Sequence, residues 1–196
     1  MKKGILAFLW ILIIFFSYKI YDSVNGPIEF NKVKNKRYAE VINRLKIIRK
    51  AQIAHKDVKG VFSNNFDSLI KFIDEGIFTL IEKRDSSYLE YDRVYRIDML
   101  KEVIVIDTLG TVNVKDSLFK ESDEYKRMAF IPVKGVEDSV FKIKSMIIDK
   151  NGYKVPVFEV KVAKNIVLFD QNKDLLKQEN ETISVDGVNG PNIILG

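Results

Sequence analysis

The sequence has no cysteine and only one histidine among its 196 residues. Without cysteine, it cannot build a disulfide framework, a thiolate metal site or a cysteine nucleophile. The lone His55 cannot form a multi-histidine metal centre, and we assign it no catalytic role because no partner residue lies nearby in the sequence. With 4 prolines and 10 glycines, the chain is neither collagen-like nor of low complexity.

Motifs of common enzyme classes are missing as well. The sequence contains no phosphate-binding G-x-x-x-x-G-K-[ST] loop, no H-E-x-x-H zinc motif and no G-x-S-x-G nucleophile turn. Its acidic residues are scattered, so no carboxylate pair for hydrolysis stands out. We therefore predict a protein that is not an enzyme and needs no cofactor, and the sequence indicates no catalytic, cofactor-binding or metal-binding residue.

One apolar run at the N-terminus is the clearest feature that is present. Residues 4–16, which follow Lys2 and Lys3, carry no charge, and residues 17–21 extend the run. A helix over residues 4–21 is about 27 Å long, close to the roughly 30 Å of a bilayer core. No small-residue cleavage site follows, so residues 1–24 are predicted to be an uncleaved transmembrane anchor. A cleaved signal peptide and a buried core helix are the alternatives.

The charges around this run leave its orientation open. Basic residues after the run outnumber the two lysines before it, which would keep the C-terminal domain in the cytoplasm. Long domains, however, cross membranes largely regardless of charge, and a short basic tail followed by an apolar run is typical of export. We therefore predict a single-pass inner-membrane protein whose C-terminal domain lies in the periplasm.

A recurring tripeptide, Asp-Ser/Thr-aliphatic, supports export. It begins at Asp22, Asp67, Asp107, Asp116 and Asp138. The pattern resembles the O-glycosylation acceptor of exported Bacteroidota proteins, although Asp-Ser is also a common cap or turn pair. Glycosylation of these hydroxyl groups is therefore a hypothesis.

Positive charge is concentrated in one segment. Residues 30–59 hold ten Lys or Arg against Glu40 and Asp57, a net charge of +8, whereas residues 60–196 have a net charge of −4. Apolar residues at steps of three and four predict an amphipathic helix from residue 36, with a stripe of Tyr38, Val41, Ile42, Leu45, Ile48 and Ala51. Its cationic faces are either solvated or meet anionic lipid or an acidic partner. Nucleic acid is not predicted as a partner of an exported domain.

The tripeptide Asn25-Gly26-Pro27 is predicted to end the apolar helix, because proline blocks its continuation. This prediction gives a linker over residues 25–35 and a soluble domain over residues 36–196. A second helix is predicted over Phe66–Glu75, between cap residues at 63–65 and a stop at Gly76.

Beyond residue 78, the apolar period changes to two, which is typical of strands. Strands are predicted at residues 87–92, 94–99, 102–107, 111–115, 128–133, 140–149, 153–162, 165–169, 183–185 and 192–195. Leu109-Gly110 and Asn151-Gly152 are predicted hairpin turns, and residues 170–181 a short helix. The predicted fold class is α+β: an N-terminal transmembrane helix, two helices, then an antiparallel β-sheet domain with one late short helix.

Part of that late helix matches the spacing of a calcium-binding loop. The matching residues are Asp170, Asn172, Asp174 and Glu181, but Leu175 occupies the position that needs glycine for a sharp turn. We favour the simpler interpretation, in which Asp170 or Asn172 caps a short helix.

Residues 44–78 resemble the segment that follows the N-terminal helix in type IV pilins and type II secretion pseudopilins. The matching pieces are residues 51–54 (AQIA), 60–62 (GVF) and 65–75. The resemblance implies pseudopilin-like assembly in the cell envelope. The sequence departs from the prepilin pattern because the fifth residue after Gly4 is Leu9 rather than glutamate, and because a helix break is predicted. The chain also resembles single-pass membrane proteins of the Bacteroidota, which implies no activity.

Taken together, these patterns predict a membrane-anchored, non-enzymatic envelope protein that acts by protein–protein interaction or pseudopilin-like assembly. Its expected partners are the membrane and either a second protein or further copies of this chain. The alternative is an envelope domain that binds a ligand, or acts on a substrate of unknown class, in a pocket of the β region. A deep cleft lined by acids would favour that alternative, whereas a flat sheet packed on helices would favour the first hypothesis.

Overall fold

Helix α1 (Lys2–Lys59) is the longest element of the computed structural model, which describes residues 2–120, 122–181 and 190–196. Its 58 residues make a rod about 87 Å long. The helix runs through residues 25–35, so the predicted break at Asn25-Gly26-Pro27 and the linker after it are wrong. Proline removes one donor, whereas ending a helix and starting another leaves four C=O and four N–H groups without partners. Continuing the helix therefore loses fewer hydrogen bonds.

Helix α2 (Phe66–Glu75) confirms the predicted second helix. The side-chain oxygen of Asn65 accepts a hydrogen bond from the backbone N–H of Asp67 at 3.0 Å, which caps the first turn. The helix ends at Gly76, as predicted. A side chain is not tolerated there, because a Cβ atom would collide with the carbonyl oxygen of Phe72.

Strands β1 (Ile77–Asp92) and β2 (Ile97–Asn113) form a long antiparallel ribbon that is a sheet of its own. The four short strands predicted between residues 87 and 115 merge into this one ribbon. The end of the last predicted strand belongs instead to helix α3 (Val114–Leu118). The alternation of side chains was read correctly, but the ends of the strands were not.

The predicted hairpin turn at Leu109-Gly110 is wrong. The chain reverses at residues 93–96, and Leu109 is the extra residue of a β-bulge. Leu80 pairs with Gly110, whereas the next residue, Ile81, pairs with Thr108. A glycine inside a strand often marks a bulge as well as a turn, so its presence alone did not distinguish the two.

A second sheet contains three antiparallel strands in the order β3-β4-β5, with the bounds Lys142–Lys150, Tyr153–Ala163 and Asn192–Leu195. These strands confirm the ones predicted at 140–149, 153–162 and 192–195. Asn151 and Gly152 form the predicted turn, with φ angles of 55° and 82°. Asparagine and glycine are the residues that adopt positive φ at least cost, which is why the turn could be predicted.

Two other predicted strands are wrong. Residues 128–133 follow a 3₁₀ turn (Glu124–Arg127) and make only an isolated bridge, between Phe130 and Val140. Residues 165–169 lie in and just after helix α4 (Lys164–Val167). Short apolar runs do not distinguish a strand from a buried helical turn. The predicted strand at 183–185 lies outside the described residues.

Helix α5 (Lys173–Glu181) confirms the predicted late helix. The buried core that joins these elements includes most of the predicted stripe of α1: Val41, Leu45, Ile48 and Ala51 are buried and Tyr38 is half-buried. Ile42, which was predicted to belong to the stripe, is 43% exposed. Leu69 of α2 and Val160 of β4 are buried in the same core. The fold is therefore α+β, with a long apolar N-terminal helix and antiparallel sheets.

Candidate functional site

The N-terminal part of α1 exposes a continuous apolar surface. Nine large side chains are 50–66% exposed, namely Leu6, Phe8, Leu9, Trp10, Ile11, Ile13, Ile14, Phe15 and Phe16. Such a surface is unfavourable in water by roughly 25 cal/mol per Å² of apolar area. Among the described residues, α1 is the one helix that is long and apolar enough to cross a membrane. We call residues 4–21 the apolar anchor.

Further along, α1 is held to the domain by an ion pair. Arg37 donates hydrogen bonds to both carboxylate oxygens of Asp170, at 2.6 and 2.8 Å, and a third to the carbonyl oxygen of Val167 at 2.9 Å. Two parallel bonds give an arginine–carboxylate pair both strength and a fixed geometry. The hydrogen bonds from Arg37 hold the pKa of Asp170 well below its usual range.

A second group of charges centres on Glu179 of α5. Its carboxylate accepts hydrogen bonds from Lys34 at 3.0 Å, Lys164 at 3.2 Å and the Tyr38 hydroxyl at 3.3 Å. The Lys164 side chain is 2% exposed, and its ammonium group also donates to the backbone carbonyl of Glu179 at 2.9 Å. We call these four residues the Glu179 cluster.

The pKa values in the Glu179 cluster follow from burial and from these hydrogen bonds. Burial raises the pKa of Glu179, but the hydrogen bonds from Lys34 and Lys164 outweigh it, so that the net pKa lies below the usual value. Burial and the negative charge of Glu179 together raise the pKa of Tyr38. At neutral pH, Glu179 is therefore a carboxylate and Tyr38 a neutral phenol.

The Glu179 cluster joins α1 to α5, and the Arg37 pair joins α1 to Val167 of α4 and to Asp170 between α4 and α5. Lys34 and Arg37 lie 13 and 16 residues after Tyr21 in one continuous helix, about 20 and 24 Å along its axis. These ion pairs therefore fix α1 against α4, α5 and the segment between them.

The residues that match the calcium-loop spacing take other roles. Asp170 is bound to Arg37, and the side-chain oxygen of Asn172 accepts hydrogen bonds from the N–H groups of Asp174 at 2.8 Å and Leu175 at 3.3 Å. This geometry confirms the interpretation of a capped helix. In the described part of the chain, no group of three His, Asp or Glu residues is placed to hold a metal ion.

Most of the basic residues of α1 stay exposed. Within residues 30–59, Lys34 and Arg37 form the ion pairs above, whereas the exposed ones are Lys32, Lys36, Lys46, Arg49, Lys50, Lys56 and Lys59. Lys46 lies 25 residues beyond Tyr21, about 37 Å along the helix axis. This distance is several times the Debye length of about 8 Å, so a helix that leaves a bilayer along its axis carries Lys46 out of reach of lipid charge. Solvation or an acidic protein suits these charges better.

His55 has a structural environment. Its Nδ1 atom lies 2.6 Å from the carbonyl oxygen of Val61, and its ring meets that of Phe72 edge to face, with centroids 4.9 Å apart. The buried amide of Gln52 exchanges hydrogen bonds of 2.8 and 2.9 Å with the backbone of Ser63. These contacts hold the turn between α1 and α2. They explain the position of the His55 ring as part of that turn.

The ribbon exposes apolar side chains along its length. Those of β2 that are 46–65% exposed are Ile97, Met99, Leu100, Ile104 and Ile106. The sheet consists of β1 and β2 alone, so the outer edge of each strand has no strand partner among the described residues. An isolated two-stranded ribbon is only marginally stable in water. Exposed apolar groups and unpaired edges make the ribbon a candidate binding surface.

The five Asp-Ser/Thr-aliphatic sites lie in different surroundings. The hydroxyl-bearing residue is exposed at Ser23, Ser68, Thr108 and Ser117 and half-buried at Ser139. Four of them are therefore accessible to a modifying enzyme, and glycosylation stays a prediction.

Sequence reasoning missed the Glu179 cluster and the ribbon edges. One signal was available: Lys164 interrupts the apolar residues of 160–169, and a lysine in such surroundings needs an acidic partner when it is buried. The partner is 15 residues away on another helix. That pairing depends on how α4 and α5 pack, which no local pattern reveals.

Comparisons of this chain with protein-family models, curated proteins and solved structures gave no match. The resemblance to pilins and to Bacteroidota membrane proteins therefore stays a prediction.

The Arg37–Asp170 pair predicts a pH dependence of stability. Because the pKa of Asp170 is lower in the folded protein than the ordinary value of about 3.9, the pair stabilises the fold above that value and loses its effect as pH falls through the folded pKa. We expect Asp170→Asn to lower the free energy of unfolding by about 1 kcal/mol at pH 7, since Asp170 is partly exposed. Below pH 4, the difference from the wild type should shrink.

The measurement is a series of thermal melts from pH 2.5 to 7 in detergent, with Asp138→Asn as the control. Asp138 is exposed and forms no ion pair in the described structure. A difference between wild type and Asp170→Asn that stays constant down to pH 2.5 would contradict the prediction.

Proposed function

We propose that this protein is a single-pass, membrane-anchored, non-enzymatic envelope protein that acts by binding other proteins, with its domain in the periplasm. The observation that carries the proposal is the continuity of α1. One helix begins as an exposed apolar anchor, passes through Pro27 and continues into the buried core of the domain. Anchor and domain thus share one continuous helix.

A continuous helix between anchor and domain suits a role in which the height of the domain above the membrane matters. Phe30, the first buried residue of α1, lies nine residues after Tyr21, about 14 Å along the axis. A domain that converts a substrate gains little from a fixed height above a membrane. A protein that must meet a partner at a set distance does benefit from a fixed height. The layout of a long helix followed by a β domain supports pseudopilin-like assembly. Prepilin processing is not part of the proposal, because the glutamate is absent.

The ribbon supplies the binding surface in this proposal. It combines exposed apolar side chains with free strand edges, the two features that proteins use to recruit another strand. Its tip residue Val94 is 83% exposed. A partner that covers the ribbon would remove apolar area from water and complete the hydrogen bonding of its edges.

A single-cysteine experiment tests both the location and the mode of action, because the chain has no cysteine of its own. Val94→Cys places a thiol at the ribbon tip, and Lys50→Cys places a control thiol on the exposed side of α1. Intact cells are labelled with a maleimide that does not cross the inner membrane. Photo-crosslinking follows, through a maleimide that carries a diazirine.

We expect both thiols to be labelled from the periplasmic side, and the ribbon thiol alone to give a discrete crosslinked protein band. Labelling that requires membrane disruption would contradict the periplasmic location. Recovery of the Val94→Cys protein as an uncrosslinked monomer would contradict action through the ribbon.

A further inference from the structure

The two outer edges of the ribbon differ in chemistry. The middle of β1, residues 82–87, reads EKRDSS and is charged or polar at every position. The middle of β2, residues 103–106, reads VIVI, with no charge and no proline. Natural proteins protect free edges with charges and proline, because an unprotected edge recruits another strand. The β2 edge lacks this protection.

The side chains along the β2 edge are also accessible. Ile104 is 64% exposed, Val105 37% and Ile106 57%. Four β-branched residues in a row are the composition that a pleated, half-buried surface favours. The edge is therefore built for a strand partner of similar apolar character.

We infer that this partner is a second copy of the chain, whose β2 strand pairs antiparallel with β2 across a two-fold axis. A two-fold axis perpendicular to a sheet keeps the same face of both copies on the same side of the combined sheet. Each residue therefore lies beside a residue of the second copy that belongs to the same face. The inference rests on the proposed function, because it identifies the protein that the ribbon binds. The result is a four-stranded sheet, which is stable where an isolated ribbon is marginal.

Charge selects the register of the pair. With the axis at Ile104, Val103 faces Val105 of the second copy, and Lys101 faces Asp107 of the second copy. Opposite charges face each other twice, and Val103, Ile104 and Val105 stay together in the centre, while Glu102 faces Ile106 of the second copy. An axis at Val103 or Val105 removes the charge pairing, because Lys101 then faces an apolar residue. An axis at Glu102 places that carboxylate opposite its own copy, which is unfavourable.

The same register extends two ion pairs that already exist within each ribbon. Lys101 is bound to Glu90 at 2.6 Å, and Asp107 is bound to Arg84. In this register, Lys101 faces Asp107 of the second copy. Charges then alternate across the four strands in the order Glu90, Lys101, Asp107 of the second copy and Arg84 of the second copy.

Cysteine substitution tests this register in the full chain, in native membranes. Opposite residues of antiparallel strands have Cα atoms roughly 4.5–5.5 Å apart, within the range that a disulfide spans. Ile104→Cys should therefore form a disulfide-linked homodimer under mild oxidation. Leu100→Cys is the matched control, since Leu100 is equally exposed but lies about 27 Å from its own copy in this register. We expect about tenfold more linked dimer from Ile104→Cys.

A mixed experiment tests the pairing a second time. Leu100→Cys and Thr108→Cys chains with different tags, expressed together, should form a disulfide between the two differently tagged chains, because these residues face each other.

Two results would overturn the inference. Equal crosslinking of Ile104→Cys and Leu100→Cys would show random collision, and crosslinking of neither would show that the strands do not pair. Circular dichroism of each variant checks that the fold is intact. If Ile104→Cys fails while Val94→Cys still captures another protein, the partner is a different chain and the proposed function stands.

Discussion

Replacing Glu179 by alanine is expected to lower the free energy of unfolding by about 3–5 kcal/mol. The reason is the ammonium group of Lys164, which is 2% exposed and has the Glu179 carboxylate as its ion-pair partner. Removal of that carboxylate leaves the buried positive charge without its counter-ion, with the backbone carbonyl of residue 179 as its remaining acceptor. The Tyr38 hydroxyl and the Lys34 ammonium group lose an acceptor in the same step.

Thermal and denaturant unfolding of the detergent-solubilised protein measures this effect. Glu181→Ala is the matched control on the same helix, because Glu181 is exposed and faces only Lys177 at 4.0 Å, so its replacement should stay within about 0.5 kcal/mol. The double variant Lys164→Met with Glu179→Leu should recover much of the lost stability, since it removes both buried charges. Equal effects of Glu179→Ala and Glu181→Ala would show that the cluster contributes nothing to stability.

Two arginines in the apolar anchor are expected to release the protein from the membrane. An arginine near the centre of a membrane helix costs about 2.5–3.5 kcal/mol, and each isoleucine that it replaces favours insertion by about 0.5 kcal/mol. Ile11→Arg with Ile13→Arg therefore opposes insertion by about 6–8 kcal/mol in total. Both side chains are exposed on α1, at 65% and 54%, so the domain core is left intact.

Carbonate extraction and flotation of membranes check this prediction. The matched control is Ile42→Arg with Ile53→Arg, which makes the same change on the same helix at positions 43% and 45% exposed but beyond the anchor. The control protein should float with the membranes, whereas the anchor variant should remain in the soluble fraction or be degraded. An anchor variant that still resists carbonate would show that residues 4–21 do not hold the protein in the bilayer.

Several elements could be predicted because their causes lie within a few residues. The buried stripe of α1 follows from apolar residues at helical spacing, and the turn at Asn151-Gly152 follows from the positive φ angles that these two residues tolerate. The cap at Asn172 is equally local, since its side chain binds N–H groups two and three residues away. Composition and length were enough to locate the apolar anchor.

Other features were missed because they are decided by competition between distant parts of the chain. Pro27 was expected to end a helix, but a continuous α1 loses fewer hydrogen bonds than two separate helices. Gly110 was expected in a turn, but the register of β1 on β2 makes it part of a bulge. Helix α4 was expected to be a strand, because its apolar residues suit either structure when they are buried.

Residue patterns alone account for the chemistry of this protein: an apolar N-terminal helix, a basic amphipathic segment, an acidic β-rich remainder and no set of residues that indicates a reaction. The packing of the chain adds that anchor and domain share one continuous helix, that Glu179 neutralises Lys164, and that β2 has an unprotected edge. The two groups of features differ in how far along the chain the interactions that produce them reach. Helix periodicity, caps and turns depend on neighbours within about one or two turns of chain, whereas ion pairs and strand edges depend on which distant segments pack together.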